Sequence, residues 1–211
     1  MTNTNHIRLF EEARALLEQL ITIPSYSRHE EKTAGALIHY LQTKNIPVNR
    51  VKNNVWARNK YYCDEKPTLL LNSHHDTVMP NPGYTRAPFS AAIIDDKLFG
   101  LGSNDAGGCL VSLLSVFLHF YERQDLKYNL IFAASSEEEI SGKDGIEALL
   151  PYLGNIYAAI VGEPTNMNMA VAEKWLLVSD CIASGKAGHA ARDEGENAIL
   201  KAMEDIEWFR T

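Results

Sequence analysis

Leu69-Leu70-Leu71-Asn72-Ser73-His74-His75-Asp76-Thr77-Val78 is an apolar run that breaks off into His-His-Asp. Such a run reads as a buried strand of a mostly parallel sheet, which exposes side chains only at its ends, and in open α/β sheets ligands gather at the carboxyl ends of strands. The construction recurs twice. Asn129 to Ala134 leads into Ser135-Ser136-Glu137-Glu138-Glu139, and Ile156 to Val161 leads into Gly162-Glu163-Pro164-Thr165. Three strands therefore deliver a histidine and carboxylates to one edge. The predicted fold class is α/β, a mostly parallel mixed sheet flanked by helices.

The flanking segments supply the helices. Leu9, Phe10, Ala13, Leu16, Leu17 and Leu20 recur at helical spacing over His6–Leu20, which predicts an amphipathic helix on the sheet. Ser27 and Glu30 have capping-box spacing ahead of Ala34, Leu37, Ile38 and Leu41, so a second helix is expected to about Thr43. Asn53-Asn54 between Pro47–Val51 and Val55–Arg58 predicts a hairpin, and Phe89–Leu98 a shorter one turning at Asp95-Asp96. Gly100 to Gly108 is a glycine-rich turn before an apolar helix from Cys109 to Tyr121, which puts Asp105 near a helix N-terminus, where free N–H groups favour a carboxylate. Gly145–Tyr152 is predicted helical. Beyond Thr165 the pattern changes: Trp175–Ser184 is strand-like, Gly185 to Ala190 a turn, and Asn197–Phe209 helical. A domain boundary is expected near Ala172, giving units 1–172 and 173–211, the second too small to bury both its faces alone.

The 211 residues carry a net charge of -7 from dispersed acids. No basic cluster is present to neutralise phosphates, which argues against nucleic acid and anionic membranes as partners. The polar start and amphipathic first helix do not resemble a signal peptide, and no segment is apolar for long enough to cross a bilayer, so a cytoplasmic location is the default expectation. Cys63, Cys109 and Cys181 lack paired spacing and read as reduced, with Cys109 packed in a helix and Cys181 in a strand.

His74 and Asp76 alternate along an extended backbone, so both can face one side while His75 points away. That makes His74 a candidate ligand and Asp76 its orienting partner. Taken singly, His-His-Asp, the glutamate run and Asp105 have plainer readings as a polar loop, a solvated charge run and a helix cap. Together they do not. If Asp76, Asp105, Glu138, Glu139 and Glu163 share a pocket, each pair of charges about 5 Å apart repels by roughly 3 kcal/mol at an effective dielectric of 20. Protons or divalent cations must neutralise them, and a histidine among carboxylates suits zinc better than magnesium or calcium. Gly100-x-Gly102 lacks the remaining glycine and lysine positions of nucleotide loops, and no serine or cysteine stands in a nucleophile elbow.

These motifs, Ser73-His74-His75-Asp76-Thr77-Val78, Gly100-x-Gly102-Ser103-Asn104-Asp105, Glu138-Glu139 and Gly162-Glu163-Pro164-Thr165, occur in the order seen in the di-zinc metallopeptidase family of aminoacylases, acetylornithine deacetylases and succinyl-diaminopimelate desuccinylases. Gly185-Lys186-Ala187-Gly188-His189-Ala190 resembles its lid signature. The chain looks most like acetylornithine or succinylornithine deacetylases. The resemblance implies a zinc-peptidase-like catalytic domain over 1–172, with the start of an α+β lid and dimerisation domain over 173–211. It implies two Zn2+, with Co2+ or Mn2+ as substitutes. His74 and Glu163 would bind one metal, Asp105 would bridge, and Glu139 would bind the second. Asp76 would orient His74, and Glu138 would be the general base, taking a proton from the attacking water and returning it to the leaving amine. The three consecutive glutamates also admit a register shift of one. His189 would stabilise the oxyanion in a partner subunit, which implies a homodimer.

The activity this implies is deacylation of an N-acyl amino acid, N-acetylornithine or N-succinylornithine, in arginine biosynthesis. The alternatives are a metallo-aminopeptidase or dipeptidase, and a non-catalytic metal-binding or dimerising fragment. Leu101 and Ala106-Gly107 depart from the family pattern at positions that are not ligands. Relatives also draw a final histidine ligand for the second zinc from a segment beyond the lid. Nothing after His189 supplies one here, and His6, His29, His39 and His119 sit on predicted helices without a motif. The expectation is an N-terminal fragment with an incomplete second site and poor activity on its own.

Overall fold

The computed structural model describes residues 3–172, 179–189, 192 and 194–210, which form two compact units, Met1–Asn168 and Met169–Thr211. In the first, helices α1 (Asn3–Ile21) and α2 (Glu31–Thr43) precede the hairpin β1 (Asn49–Val51) and β2 (Asn54–Arg58). Next come β3 (Thr68–His74), the hairpin β4 (Ala92–Ile94) and β5 (Lys97–Phe99), α3 (Cys109–Phe120), β6 (Asn129–Ser135), α4 (Ile146–Leu153) and β7 (Ile156–Val161). The main sheet has the order β1-β2-β6-β3-β7. β3 runs parallel to β6 and β7, while β2 is antiparallel to both β6 and β1. The result is an α/β domain on a mixed sheet flanked by helices.

Alternation along the central strands sorts the core into two layers. Val55, Ala57, Leu71, Phe132 and Ala134 pack with Leu16 and Leu20 of α1, Leu37 and Leu41 of α2, and Leu110, Leu114 and Phe117 of α3. Trp56, Leu70, Ile131 and Ala133 face the other way, onto Leu149 and Leu153 of α4. β6 is buried along its whole length, as expected of a strand covered on both faces.

Several expectations are corrected here. The first hairpin turns one residue earlier than predicted, at Lys52-Asn53, with Val51 paired to Asn54 and Lys52 taking the positive φ of 55°. Asn54 is drawn into β2 because its fully buried side chain donates to the carbonyls of Val51 and Asp144 and accepts the Ser136 N–H. α2 begins at Glu31 without a side-chain cap, so Ser27 and Glu30 are not a capping box, and His29 lies in the loop before it. β7 is at the sheet edge rather than buried, with Tyr157 71% and Val161 58% exposed. The second hairpin does turn at Asp95-Asp96, both at positive φ.

The second unit contains α5 (Ala198–Arg210), whose Ile199, Met203, Ile206 and Phe209 are exposed, and an antiparallel bridge between Lys186 and Glu196. Part of the predicted strand Trp175–Ser184 and Ala190 of the predicted turn lie outside the described residues; 179–184 form no strand, and Cys181 is exposed. Among the described residues no helix is long and apolar enough to cross a membrane.

Phe117 is fully buried, its ring centroid 6.0 Å from that of Phe132. Phe117→Ala is expected to cost about 3–5 kcal/mol in urea unfolding. Val116→Ala, at a neighbour 43% exposed, should cost less than about 1 kcal/mol.

Candidate metal centre

Parallel pairing aligns the strand ends that carry the polar residues. His74 is in register with Ser135, and Asn72 with Val161, so the residues after β6 and β7 emerge beside His74. Its ring is fully enclosed. Nδ1 lies 3.1 Å from the Asp76 carbonyl oxygen and 3.3 Å from Asp76 Oδ1. A carbonyl oxygen can only accept, so Nδ1 carries the proton and Nε2 is left as the ligating nitrogen of the neutral ring. Nε2 faces Asp105 Oδ1 at 3.1 Å, Glu138 Oε2 at 3.7 Å and Glu163 Oε2 at 3.7 Å.

Asp76 is itself buried and organises the rest. Oδ2 accepts the Ser27 hydroxyl at 2.7 Å and the Glu139 N–H at 3.2 Å, and Oδ1 accepts the Glu138 N–H at 3.1 Å. Burial alone would raise its pKa, but the His74 contact and these donors outweigh it and hold the carboxyl below the usual range. Glu138 and Glu139 lie on one 3₁₀ turn, Glu138–Ile140, entered through Glu137 at φ 55° and left through Ser141 at φ 47°. Such left-handed backbone in residues other than glycine persists only where the surroundings enforce it. The turn directs Glu138 and Glu139 into the cluster and lays Glu137 against Gly142, where an added Cβ would come within 2.8 Å of Glu137 Cδ.

Asp105 comes from the irregular turn Ser103–Gly108, with φ -110° and ψ 102°, and its peptide to Ala106 is cis. Gly107 donates to the Gly102 carbonyl at 2.8 Å, and a Cβ on Gly107 would lie 2.5 Å from that oxygen. That close approach explains glycine at one of the positions departing from the family pattern. Glu163 is placed by its neighbour: Gly162 donates to the Asn72 carbonyl at 2.7 Å and accepts the Ser73 hydroxyl at 2.8 Å.

Ligand atoms of His74, Asp105 and Glu139 all lie within 4.8 Å of one another. One imidazole nitrogen among carboxylate oxygens is a donor set that fits a divalent ion such as zinc. The electrostatics point the same way. Burial would lower the His74 pKa, but the carboxylates of Asp76 and Glu163 raise it to about 11, so without a cation the cluster holds a proton. Burial, reinforced by Glu163, Asp76 and Asp105 and opposed by His74, raises the Glu138 carboxyl above its ordinary value. Burial and Asp105 do the same for Glu139. The structure thus gathers His74, Asp76, Asp105, Glu138, Glu139 and Glu163. Glu139 joins His74 and Asp105 in one group, and a second complete metal site is not resolved among the described residues. His189 is exposed in the second unit.

A cavity of about 520 Å³ opens beside Asp105 and Glu139, with Thr77, Arg86 and Phe99 in its wall. Arg86 stacks on Phe99, 4.4 Å from the ring centroid. Sequence reasoning misses Ser27, Glu30, Asn53 and His75 as parts of the site's support. Burial lowers the His75 pKa and keeps the ring neutral; Nε2–H donates to the Asn53 carbonyl at 3.0 Å, and Nδ1 accepts the Thr33 hydroxyl at 2.9 Å.

Comparison with known proteins gives this geometry a family. The model of peptidase family M20/M25/M40 matches residues 70–207. The chain belongs to that family. It is 32% identical over 191 residues to a succinyl-diaminopimelate desuccinylase of Buchnera aphidicola subsp. Cinara cedri, covering 84% of this chain and 47% of the relative. A probable carboxypeptidase of Aspergillus terreus is 30% identical over 192 residues, covering 81% and 42%. The chain therefore spans about half the length of the curated relatives it matches. Among solved structures, the M20 family metallo-carboxypeptidase of Sulfolobus solfataricus superposes with a TM-score of 0.61 at 26% identity, over 72% of this chain and 37% of that one. A Staphylococcus aureus tripeptidase shares the fold, with a TM-score of 0.63 at 21% identity over 93% and 56%.

In the metal-free protein the His74 ring is expected to stay protonated well past neutrality. Its folded pKa, about 11, lies above the ordinary 6.5, so its contribution to stability is full below the unfolded value and fades as pH rises through the folded one. Zinc must displace that proton, so zinc affinity should climb between pH 6.5 and 8.5. Ring NMR titration and calorimetry at three pH values check this; an unchanged affinity would contradict it.

Proposed function

We propose that this chain carries the metal-binding part of a hydrolase that cleaves the amide of an N-acyl amino acid, with N-acetylornithine or N-succinylornithine as substrate and arginine biosynthesis as context. The observation that carries the reading is Glu138, a carboxylate with a raised pKa set 3.7 Å from His74 Nε2 beside the His74, Asp105 and Glu139 group. A structural metal site has no use for a spare base of this kind.

Two Zn2+ are proposed, replaceable by Co2+ or Mn2+, with His74 and Glu163 on one, Asp105 bridging and Glu139 on the other. When bound, the metal would polarise the acyl carbonyl and lower the pKa of the attacking water. Glu138 takes that water's proton as oxygen adds to the acyl carbon, and delivers it to the nitrogen as the C–N bond breaks, releasing carboxylic acid and free amine. Asp76 keeps Nε2 of His74 turned to the site throughout. Arg86 is the one cation among the described residues lining the cavity, and suits a substrate that bears a free carboxylate. The proposed organisation is a catalytic part over 1–172 and the start of a lid over 173–211, in a cytoplasmic homodimer where His189 serves the oxyanion of the partner subunit's site.

In a full-length form, the Glu138→Gln variant should lose about 10²–10⁴-fold in kcat for N-acetylornithine while binding zinc as the parent does, read by ornithine release and zinc titration. Unchanged activity would overturn the assignment of the base. Dipeptide or aminoacyl-amide cleavage without deacylation would favour the peptidase reading suggested by the carboxypeptidase-like relatives, and zinc binding with no turnover on either substrate would favour a non-catalytic domain.

A further inference from the structure

Glu30 is fully buried, yet its carboxylate makes no cap to the helix it precedes. Its charge is met by N–H donors from three separate segments. Oε1 accepts the backbone N–H of Arg28 at 2.7 Å and of Glu137 at 3.2 Å, and Oε2 accepts the side-chain amide of Asn53 at 2.8 Å. From Asn53 the network continues through its carbonyl to His75 Nε2–H at 3.0 Å. Its two ends are the chain neighbours of the metal site: Glu137 opens the turn that carries Glu138 and Glu139, and His75 adjoins His74.

We infer that Glu30 is a positioning residue for the metal site, its buried carboxylate fixing the start of the glutamate turn relative to the end of β3 through Glu137 on one side and Asn53–His75 on the other. The inference rests on the reading of His74, Asp105 and Glu139 as metal ligands. Asp76 holds the turn from the front, by the N–H groups of Glu138 and Glu139; Glu30 holds it one residue earlier and from behind. A burial this complete is costly for an ionised carboxylate unless its lone pairs are satisfied. Three donors arranged around Glu30 meet that cost, and a side chain with a single acceptor oxygen leaves at least one of the tied segments loose.

The donor pattern gives a test that separates positioning from general stability. Glu30→Gln puts an NH₂ against the Asn53 amide or against the Arg28 and Glu137 N–H groups. Turning the Asn53 amide over to compensate would break the bond that its Oδ1 accepts from Arg50 Nη2 at 2.6 Å. Adding Asn53→Asp restores an acceptor opposite the new donor and keeps the Arg50 contact. With zinc alone titrated into the metal-free chain, Glu30→Gln should bind about tenfold more weakly, in the range found when supports of metal ligands are removed. Asn53→Asp alone should also weaken binding, and the double variant should return to within about threefold of wild type.

Amide exchange of Glu137–Glu139 in the metal-free chain supplies a second readout, expected to quicken in Glu30→Gln and slow again in the double variant. Glu30→Gln that stays folded and binds zinc as wild type does, or a double variant no better than the singles, would overturn the inference. So would exchange that quickens equally across the chain. If the wild-type chain binds no zinc, the reading of the metal site fails, and the exchange experiment still decides whether Glu30 fixes the turn.

Discussion

The site depends on one carboxylate that would not touch the metal. Asp76 lies near Nδ1 of His74 with one oxygen and receives the N–H groups of Glu138 and Glu139 with both. It therefore helps set the orientation of the imidazole and sets the placement of two acidic side chains on the turn that follows β6. Buried and supplied with donors, it stays ionised, which is what allows it to do both. Replacing it by an apolar side chain would free the N–H groups of Glu138 and Glu139 and leave the ring held by the residue-76 carbonyl alone.

That arrangement is available because of the sheet. β3, β6 and β7 run in the same direction and end nearly level, so the segments that leave their carboxyl ends all start from the same place. Two layers of apolar side chains hold the strands while the segments beyond them take irregular backbone. Glu137 and Ser141, just beyond β6 and both at positive φ, are cases in point. The rigid part of the molecule is thus made of ordinary alternating strand residues, and the strained part is confined to the edge where the chemistry-bearing groups meet.

How much of this is legible in the sequence depends on the range of the interactions. An apolar run ending in His-His-Asp, in Glu-Glu-Glu or in Gly-Glu-Pro-Thr is a local signal, and the three together mark His74, Asp76, Glu138, Glu139 and Glu163 as candidates for one sheet edge. Ser27 and Glu30 are different. Their spacing before an apolar helix is that of a capping box, and nothing local shows that Ser27 donates to a residue 49 positions away or that Glu30 receives an N–H from 107 positions away. The exposure of β7 is hidden for a related reason: Ile156 to Val161 has the composition of a buried strand, but burial is set by what lies beside it. At the first hairpin either Asn53 or Asn54 suits a turn, and the long-range bonds of Asn54 decide the register.

The acidic residues of the site fall into two kinds, and the donors around them mark the division. Asp76 and Glu30 are enclosed and each accepts three hydrogen bonds from N–H or O–H groups, so their charge is satisfied within the protein. Asp105 and Glu138 have side chains 56% and 52% exposed and Glu163 33%, and the contact they share is with one imidazole nitrogen. Side by side, with pairwise repulsion of up to roughly 3 kcal/mol at about 5 Å, these carboxylates favour a cation among them. The same repulsion explains why the site needs the hydrogen-bonded carboxyl groups of Asp76 and Glu30 behind it. Carboxylates free to move would separate into solvent, and only a scaffold with its own hydrogen bonds complete can hold them together in readiness for the ion that neutralises them.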